Sequence, residues 1–246
     1  MRVIGVIPSR WGSTRFPGKS LHPICGKPLV QWVAEAARRS RALDEVLVAT
    51  DDRRIADALA GVARVVMTRG DHPSGTDRVA EAAQAGDEDI ILNIQGDEPL
   101  IEPALIDALA DRMRDGHGWE MATAACPITS AKDLEARSVV KTVLTRDGGA
   151  LYFSRLPIPC RRDGEADLSS GLYLRHLGIY AYRGDFLRRL VNEPPCPLEQ
   201  TECLEQLRAL YIGGRIAVIM TDSAGVGVDT PEDVAQVEAV LRARQR

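Results

Sequence analysis

Four short β-branched runs set the fold: "RVIGVIP" at 2–8, "EVLVAT" at 45–50, "ARVVMT" at 63–68 and "DIILNI" at 89–94. None alternates strictly between apolar and polar residues, as a strand with one wet face would; each reads as a strand covered on both faces. Around them the spacing predicts helices at 28–41, 52–60, 76–85 and 103–114. Strand and helix therefore alternate. Right-handed crossovers then build a mostly parallel, Rossmann-like sheet with helices on both sides, an α/β architecture.

Between about 121 and 182 the pattern changes to "MATAACPI", "VVKTVL", "ALYFSRLPI" and "YLRHLGIYAY", strand-like runs with few helical intervals. These predict an antiparallel, strand-rich insert, with "GEADLSSG" at 164–171 as a polar loop. Helices return at 183–192, 198–211 and 231–244, with a strand "RIAVIM" at 215–220. The 246 residues suffice for one large or two small domains, and neither a repeat nor a low-complexity tract breaks them up. The reading is one domain, 1–246, carrying the insert. The insert's apolar edges need a cover, either its own sheet or a second copy of the chain.

Hydrophobic residues make up 45% and charged residues 27%, which excludes a disordered chain. Five cysteines, scattered and without a C-x-x-C pair, indicate neither a disulfide framework nor a zinc site, so a reducing compartment is expected. No apolar stretch approaches membrane-spanning length, and the amino terminus lacks a basic region followed by an apolar one. A cytoplasmic protein with no membrane partner is expected.

A net charge of −4 argues against general nucleic-acid binding, which needs surplus Lys and Arg to displace counterions. The average hides a gradient. Residues 1–43 carry eight Lys and Arg against Glu35 alone, a net +7, while the remainder carries a net −11. A compact anion held near the amino terminus and a cation held by acids elsewhere would suit that asymmetry.

The basic cluster includes "WGSTRFPGKS" at 11–20, which resembles a Walker A loop with one residue too many: five residues, not four, separate Gly12 from Gly18. A helix opening at Lys19 would also meet Pro23 in its interior, at a cost of about 3 kcal/mol. Both features reject a P-loop hydrolase. What remains is a strand ending at Pro8 and an irregular loop with Arg10, Gly12, Ser13, Thr14, Arg15, Gly18 and Lys19. Glycines let amides approach an anion, hydroxyls donate and three cations neutralise charge, as a nest for a triphosphate requires. A strand's carboxyl end is also where open α/β sheets bind ligands.

Together with that loop, "TDRVAEA", "NIQGDEPLI", "ALYFSRLPIP", "RHLGIYAY", "LEQLRAL" and "GVDTPEDV" resemble, in order and over nearly the whole chain, the 3-deoxy-manno-octulosonate cytidylyltransferase family. The resemblance implies a nucleotidyltransferase-type sheet and transfer of CMP from CTP to the 2-hydroxyl of the acid sugar KDO. Pyrophosphate is released, with Mg²⁺ as cofactor. It also implies a homodimer through 121–182 and a role in lipopolysaccharide synthesis.

Such a reaction needs charge neutralisation and positioning more than covalent help. Asp97, just after the fourth strand run, supplies a hard oxygen ligand for Mg²⁺ at the sheet's carboxyl edge. Asp229 looks like the family's second ligand. It stands outside a cap made by Thr230, Pro231 and Asp233. Lys19, Arg10 and Arg15 would stabilise the departing pyrophosphate. Ser74 and Thr76 are both candidate caps of the following helix, with capping the role expected of Thr76. By resemblance Arg69, Ser74 and Gly75 lie near the cytosine, and Gln95 contacts nucleotide or sugar. Arg155, His176, Tyr180 and Gln206 look like the sugar-side residues. His176 and Tyr180, four apart in a strand-like run, fall on one face. Ser20 after "PGK" and Cys160 after "PIP" depart from the family's pattern. Two other readings stand beside this one: a cytidylyltransferase for sialic acid or 8-amino-KDO, and a non-catalytic CTP sensor.

Overall fold

A computed structural model describes residues 1–12, 16–115, 117–222 and 224–244. Its contacts divide the chain into two compact units, Met1–Asp111 with Gly225–Arg246, and Arg112–Ala224.

The first unit opens with β1 (Val3–Pro8), whose Val3, Ile4, Val6 and Ile7 are all buried, as a strand covered on both faces requires. After the basic loop comes a small hairpin, β2 (Pro23–Ile24) and β3 (Lys27–Pro28). Cys25 and Gly26 turn it, both at positive φ (46° and 83°), as a two-residue hairpin needs. Then follow α1 (Leu29–Ala37), β4 (Glu45–Thr50), α2 (Arg53–Ala58), β5 (Arg64–Met67), α3 (Gly75–Ala83), β6 (Ile90–Asn93) and α4 (Pro103–Arg114). The four longer strands lie in the order β6-β1-β4-β5, all parallel, with Val3 beside Ile90, Ile4 beside Glu45 and Leu47 beside Arg64. Each carboxyl end therefore reaches the same edge. On α3 the buried residues Thr76, Val79 and Ala83 recur at helical spacing and face the sheet at β1 and β4.

The second unit contains β7 (Met121–Pro127), α5 (Ala131–Glu135), β8 (Lys141–Leu144), β9 (Ala150–Ser154), β10 (Leu174–Arg183), α6 (Gly184–Asn192), α7 (Pro197–Glu202), α8 (Gln206–Tyr211) and β11 (Ile216–Met220). Here β10 runs antiparallel to β7 and β8, and β8 to β9, as expected for this stretch, while β11 is parallel to β7. Two local readings need correction. The predicted helix 198–211 is two helices, because Cys203 takes a left-handed conformation (φ 51°) and ends α7, and the chain redirects so that Leu204 and Leu207 are buried. The short α5 has too few residues to show periodicity, and Ser130 starts it by accepting the Asp133 amide (3.1 Å).

The last described element is α9 (Pro231–Arg244), back in the first unit, where Val228, Val237 and Leu241 form one cluster with Ile24, Leu29 and Leu100. Among the described residues no helix is long and apolar enough to cross a membrane.

Candidate active site

At the carboxyl edge of β6-β1-β4-β5 the first unit holds a cleft of about 500 Å³. Pro8, Ser9, Arg10 and Gly12 follow β1; Asp51 follows β4; Gly70, His72, Ser74 and Gly75 follow β5; Gln95, Gly96 and Asp97 follow β6; Lys19 and Asp229 complete the wall. Of the predicted nucleotide residues, Pro8, Arg10, Gly12, Lys19, Ser74, Gly75 and Gln95 are thus brought together. Ser13, Thr14 and Arg15 lie outside the described residues. Another cleft of similar volume, at the amino ends of β4 and β5, contains none of the predicted residues, and its Arg64 and Glu45 pair with each other.

Asp97 and Asp229 converge on one cation. Lys19 Nζ stands 2.6 Å from Asp97 Oδ2, 3.0 Å from the Val228 carbonyl oxygen and 3.4 Å from Asp229 Oδ1. The local chain explains how. Gly96 presses against β1, where a Cβ would stand 2.9 Å from the Pro8 carbonyl oxygen, so only glycine lets the turn after β6 lie there. The Val228 amide donates to the Asp97 carbonyl (2.8 Å), bringing the last segment of the first unit alongside that turn. Asp233 accepts from the Asp229 amide (2.9 Å), the Thr230 amide (2.8 Å) and the Thr230 hydroxyl (3.1 Å). This is the predicted cap, with Asp229's own carboxylate left for the cleft. Two carboxylates and a carbonyl around one cation form a hard-oxygen set that suits Mg²⁺, which often takes only one or two protein carboxylates and completes its shell with phosphates and water. Among the described residues no cluster of three or more His, Cys, Asp and Glu that could hold a metal ion is found.

Of the two candidate caps after β5 the helix uses Ser74, not Thr76, the one expected to cap. Ser74 is extended, so its Oγ reaches the amides of Thr76 (3.1 Å) and Asp77 (3.3 Å), whereas Thr76 is already buried inside α3. Arg69 is not part of the cleft's lining. Its guanidinium, 68% exposed, turns toward Glu81 (3.4 Å) and Asp71 (3.9 Å). Glu81 also accepts from the Arg69 amide (3.2 Å) and meets His72 Nε2. Desolvation raises the Glu81 pKa, but hydrogen bonds from Arg69 and His72 outweigh it and hold the carboxyl below its usual range. Ser9, Asp51, His72 and Arg78 line the cleft without having been singled out in the sequence. Asp51 carried a signal, since it follows a strand run just as Asp97 does. His72 carried none.

A cytidylyltransferase family model matches residues 4–216. The 3-deoxy-manno-octulosonate cytidylyltransferase of Bdellovibrio bacteriovorus is 48% identical over 244 residues, 98% of each chain. That of Syntrophobacter fumaroxidans is 49% identical over 245 residues, covering 98% of this chain and 97% of its own. The chain belongs to this family. A solved structure of CMP:2-keto-3-deoxy-manno-octonic acid synthetase, complexed with CTP, superposes with a TM-score of 0.93 at 42% identity, covering 99% of this chain and all of that one. A more distant likeness, to 4-diphosphocytidyl-2C-methyl-D-erythritol synthase (TM-score 0.65, 16% identity, 98% of each chain), shows the shared fold alone.

In this cytidylyltransferase the remaining predicted residues lie in the second unit. His176 and Tyr180 share a face as expected, with ring centroids 5.5 Å apart, and the Tyr180 hydroxyl donates to Gln206 Oε1 at 3.3 Å. The Thr123 hydroxyl has one proton, directed at the Ile179 carbonyl (2.8 Å), so His176 Nε2 at 3.0 Å is the donor to Thr123 Oγ1. Burial drives the His176 pKa down to about 3, and the ring is neutral. Arg155 spends its guanidinium on carbonyl oxygens of Glu202 (2.6 Å), Arg137 (3.0 Å) and Cys203 (3.1 Å).

Proposed function

We propose that this chain transfers CMP from CTP to the 2-hydroxyl of KDO, releasing pyrophosphate and supplying activated KDO for lipopolysaccharide. The observation that carries the reading is the meeting of Asp97 and Asp229 at Lys19, residues 78 and 210 positions away from it, at the edge where the nucleotide cleft opens.

Attack on the α-phosphorus needs the nucleotide held in line and its charge balanced. Arg10 and Lys19 bring positive charge to the phosphate end, where negative charge grows as pyrophosphate leaves. At Gly12 an added Cβ would meet nothing within 4 Å among the described residues, so phosphate oxygens can come close to the backbone there. Asp97 and Asp229 would hold Mg²⁺, which supplies Lewis acidity toward the phosphate and the sugar hydroxyl. On the sugar side we assign, within the second unit, Arg155, His176, Tyr180 and Gln206. His176, being neutral, is suited to hydrogen bonding with hydroxyls rather than to pairing with the sugar's carboxylate.

The reading also places the enzyme in the cytoplasm, supported by five unpaired cysteines, and makes it a homodimer through 121–182, where Leu151, Leu156 and Leu172 are more than half exposed. Pyrophosphate release from CTP with KDO, 8-amino-KDO or sialic acid is the decisive assay, and KDO is expected to be the efficient acceptor. Turnover with sialic acid and none with KDO would end the substrate assignment. CTP binding with no turnover on any acid sugar would leave a sensor in its place.

A further inference from the structure

Trp11 stands between Arg10 and Gly12, both of which line the nucleotide cleft, but its own side chain is not part of the described lining. The indole is covered instead by Arg54, whose guanidinium carbon lies 3.5 Å from the ring centroid. At that separation the flat guanidinium lies over the indole, the arrangement in which a cation is drawn to the electron-rich face of a ring.

The sheet brings the two together. Trp11 follows β1 and Arg54 follows β4, strands that run parallel side by side with Pro8 beside Ala49, and the Ser9 amide extends the ladder by donating to the Ala49 carbonyl oxygen (2.8 Å). Asp52 then fixes the arginine. Its carboxylate accepts from Arg54 Nε (2.9 Å) and Nη2 (2.6 Å), a two-pronged pair, and from the Arg54 amide (2.9 Å) as the cap of α2. Although the Arg54 side chain is 57% exposed, its head is therefore ordered by two partners, the carboxylate and the indole.

The same indole also meets Gly18. A Cβ added there would stand 3.0 Å from Cη2 and 3.1 Å from Cζ2 of Trp11, so the backbone lies against the ring with no room for a side chain. The Gly18 amide donates to the Trp11 carbonyl oxygen at 3.2 Å, joining the two residues a second time. Gly18 is left-handed (φ 72°) and starts the short turn Lys19–Leu21, in which the Leu21 amide donates to the Gly18 carbonyl oxygen at 3.0 Å. From that turn Lys19 reaches Asp97. We propose that Arg54 is a positioning residue: stacked on Trp11, it fixes the turn that begins at Gly18 and so the direction from which Lys19 enters the phosphate end of the cleft. Arg54 acts through the indole and not on the nucleotide. This inference rests on the CMP transfer proposed above.

The test is a double-mutant cycle on the full chain, read by calorimetric CTP binding and by pyrophosphate release with KDO. Arg54→Ala keeps the Asp52 cap, which uses the Arg54 amide. It should weaken CTP binding and lower kcat/KM for CTP about fivefold each, the scale of one exposed cation–π contact, and leave the KM for KDO unchanged. Trp11→Leu should do the same, and in that background Arg54→Ala should cost less than about twofold more. Additive losses would show that Arg54 acts without the indole and would overturn the proposal. A matching rise in the KM for KDO would also overturn it, as a general loosening of the fold. Arg54→Lys keeps the charge without the flat fork and should stay at least about twofold below the unaltered chain. Full recovery with lysine would mean that charge alone matters and would sink the proposal even if Trp11→Leu does not fold. A chain that releases no pyrophosphate with KDO would instead refute the proposed function, and the cycle in CTP affinity would still decide the role of Arg54.

Discussion

Acidification should destabilise the second unit through a single buried ring. His176 is held neutral against Thr123, Phe153 and Tyr180, with its pKa lowered from 6.5 to about 3. In the unfolded chain the same imidazole takes up a proton below about pH 6.5. The group's contribution is therefore complete above that pH and is lost as pH falls from 6.5 toward 3, because the unfolded state then binds more protons. At pH 5, which is 1.5 units below the unfolded value, the loss is about 2 kcal/mol at 1.36 kcal/mol per unit. His176→Gln removes the titration while leaving an amide to donate to Thr123 Oγ1. The assay is urea unfolding of both chains at pH 7.5, 6.5, 5.5 and 5.0, with amide exchange in β7 and β10 as the local readout. At pH 7.5 the variant should be less stable, having lost the packing of Phe153 and Tyr180 on the ring. That gap should close by about 2 kcal/mol at pH 5. A gap that stays constant across the series would show that the ring is not held neutral by burial and would refute the reasoning.

Two substitutions test the catalytic edge. Asp97→Asn should cut pyrophosphate release at least about a hundredfold, since it removes a charge from the proposed metal site, while the urea midpoint stays near that of the unaltered chain. Near-normal turnover would refute the metal assignment. Gly96→Ala puts a Cβ 2.9 Å from the Pro8 carbonyl oxygen and should displace the Asp97 turn, costing about 1 to 3 kcal/mol of stability and ten- to a hundredfold in rate. Gly12→Ala, whose Cβ meets nothing within 4 Å among the described residues, should leave the melting temperature unchanged; equal effects at the two glycines would mean that close packing at Gly96 is not what fixes Asp97.

Most of the parallel sheet was legible because strands buried on both faces must be apolar throughout, and β1, β4, β5 and β6 fall inside the four predicted runs; β5 alone is not covered on both faces, since it lies at the sheet's edge with Arg64 and Met67 exposed. The break at Cys203 was not legible, since it depends on a left-handed residue that is not glycine, and neither was the five-residue α5. At the site, residues directly after a strand could be placed: Arg10, Gly12, Gln95 and Asp97 all line the cleft. Side chains whose direction is set by tertiary partners could not. Arg69 lies in the expected segment yet faces Glu81, and Arg155 is bound to three backbone carbonyls. His72 escaped notice for the same reason, because its place in the cleft wall goes with the Glu81 carboxylate set against its Nε2.

The parallel arrangement also explains why the site draws on such distant parts of the chain. When four strands run the same way, whatever follows each of them arrives at one edge, and the segments after residues 8, 50, 67 and 93 become neighbours without any special contact. Asp229 is the exception, since no strand of that sheet leads into it. Its place depends on the Val228 amide bonded to the Asp97 carbonyl and on Val228, Val237 and Leu241 packed with Ile24, Leu29 and Leu100. Half of the proposed metal site is thus held by apolar packing of α9 rather than by the sheet. Loosening that cluster would move one carboxylate relative to the other, and so would act on catalysis from residues that never touch a substrate.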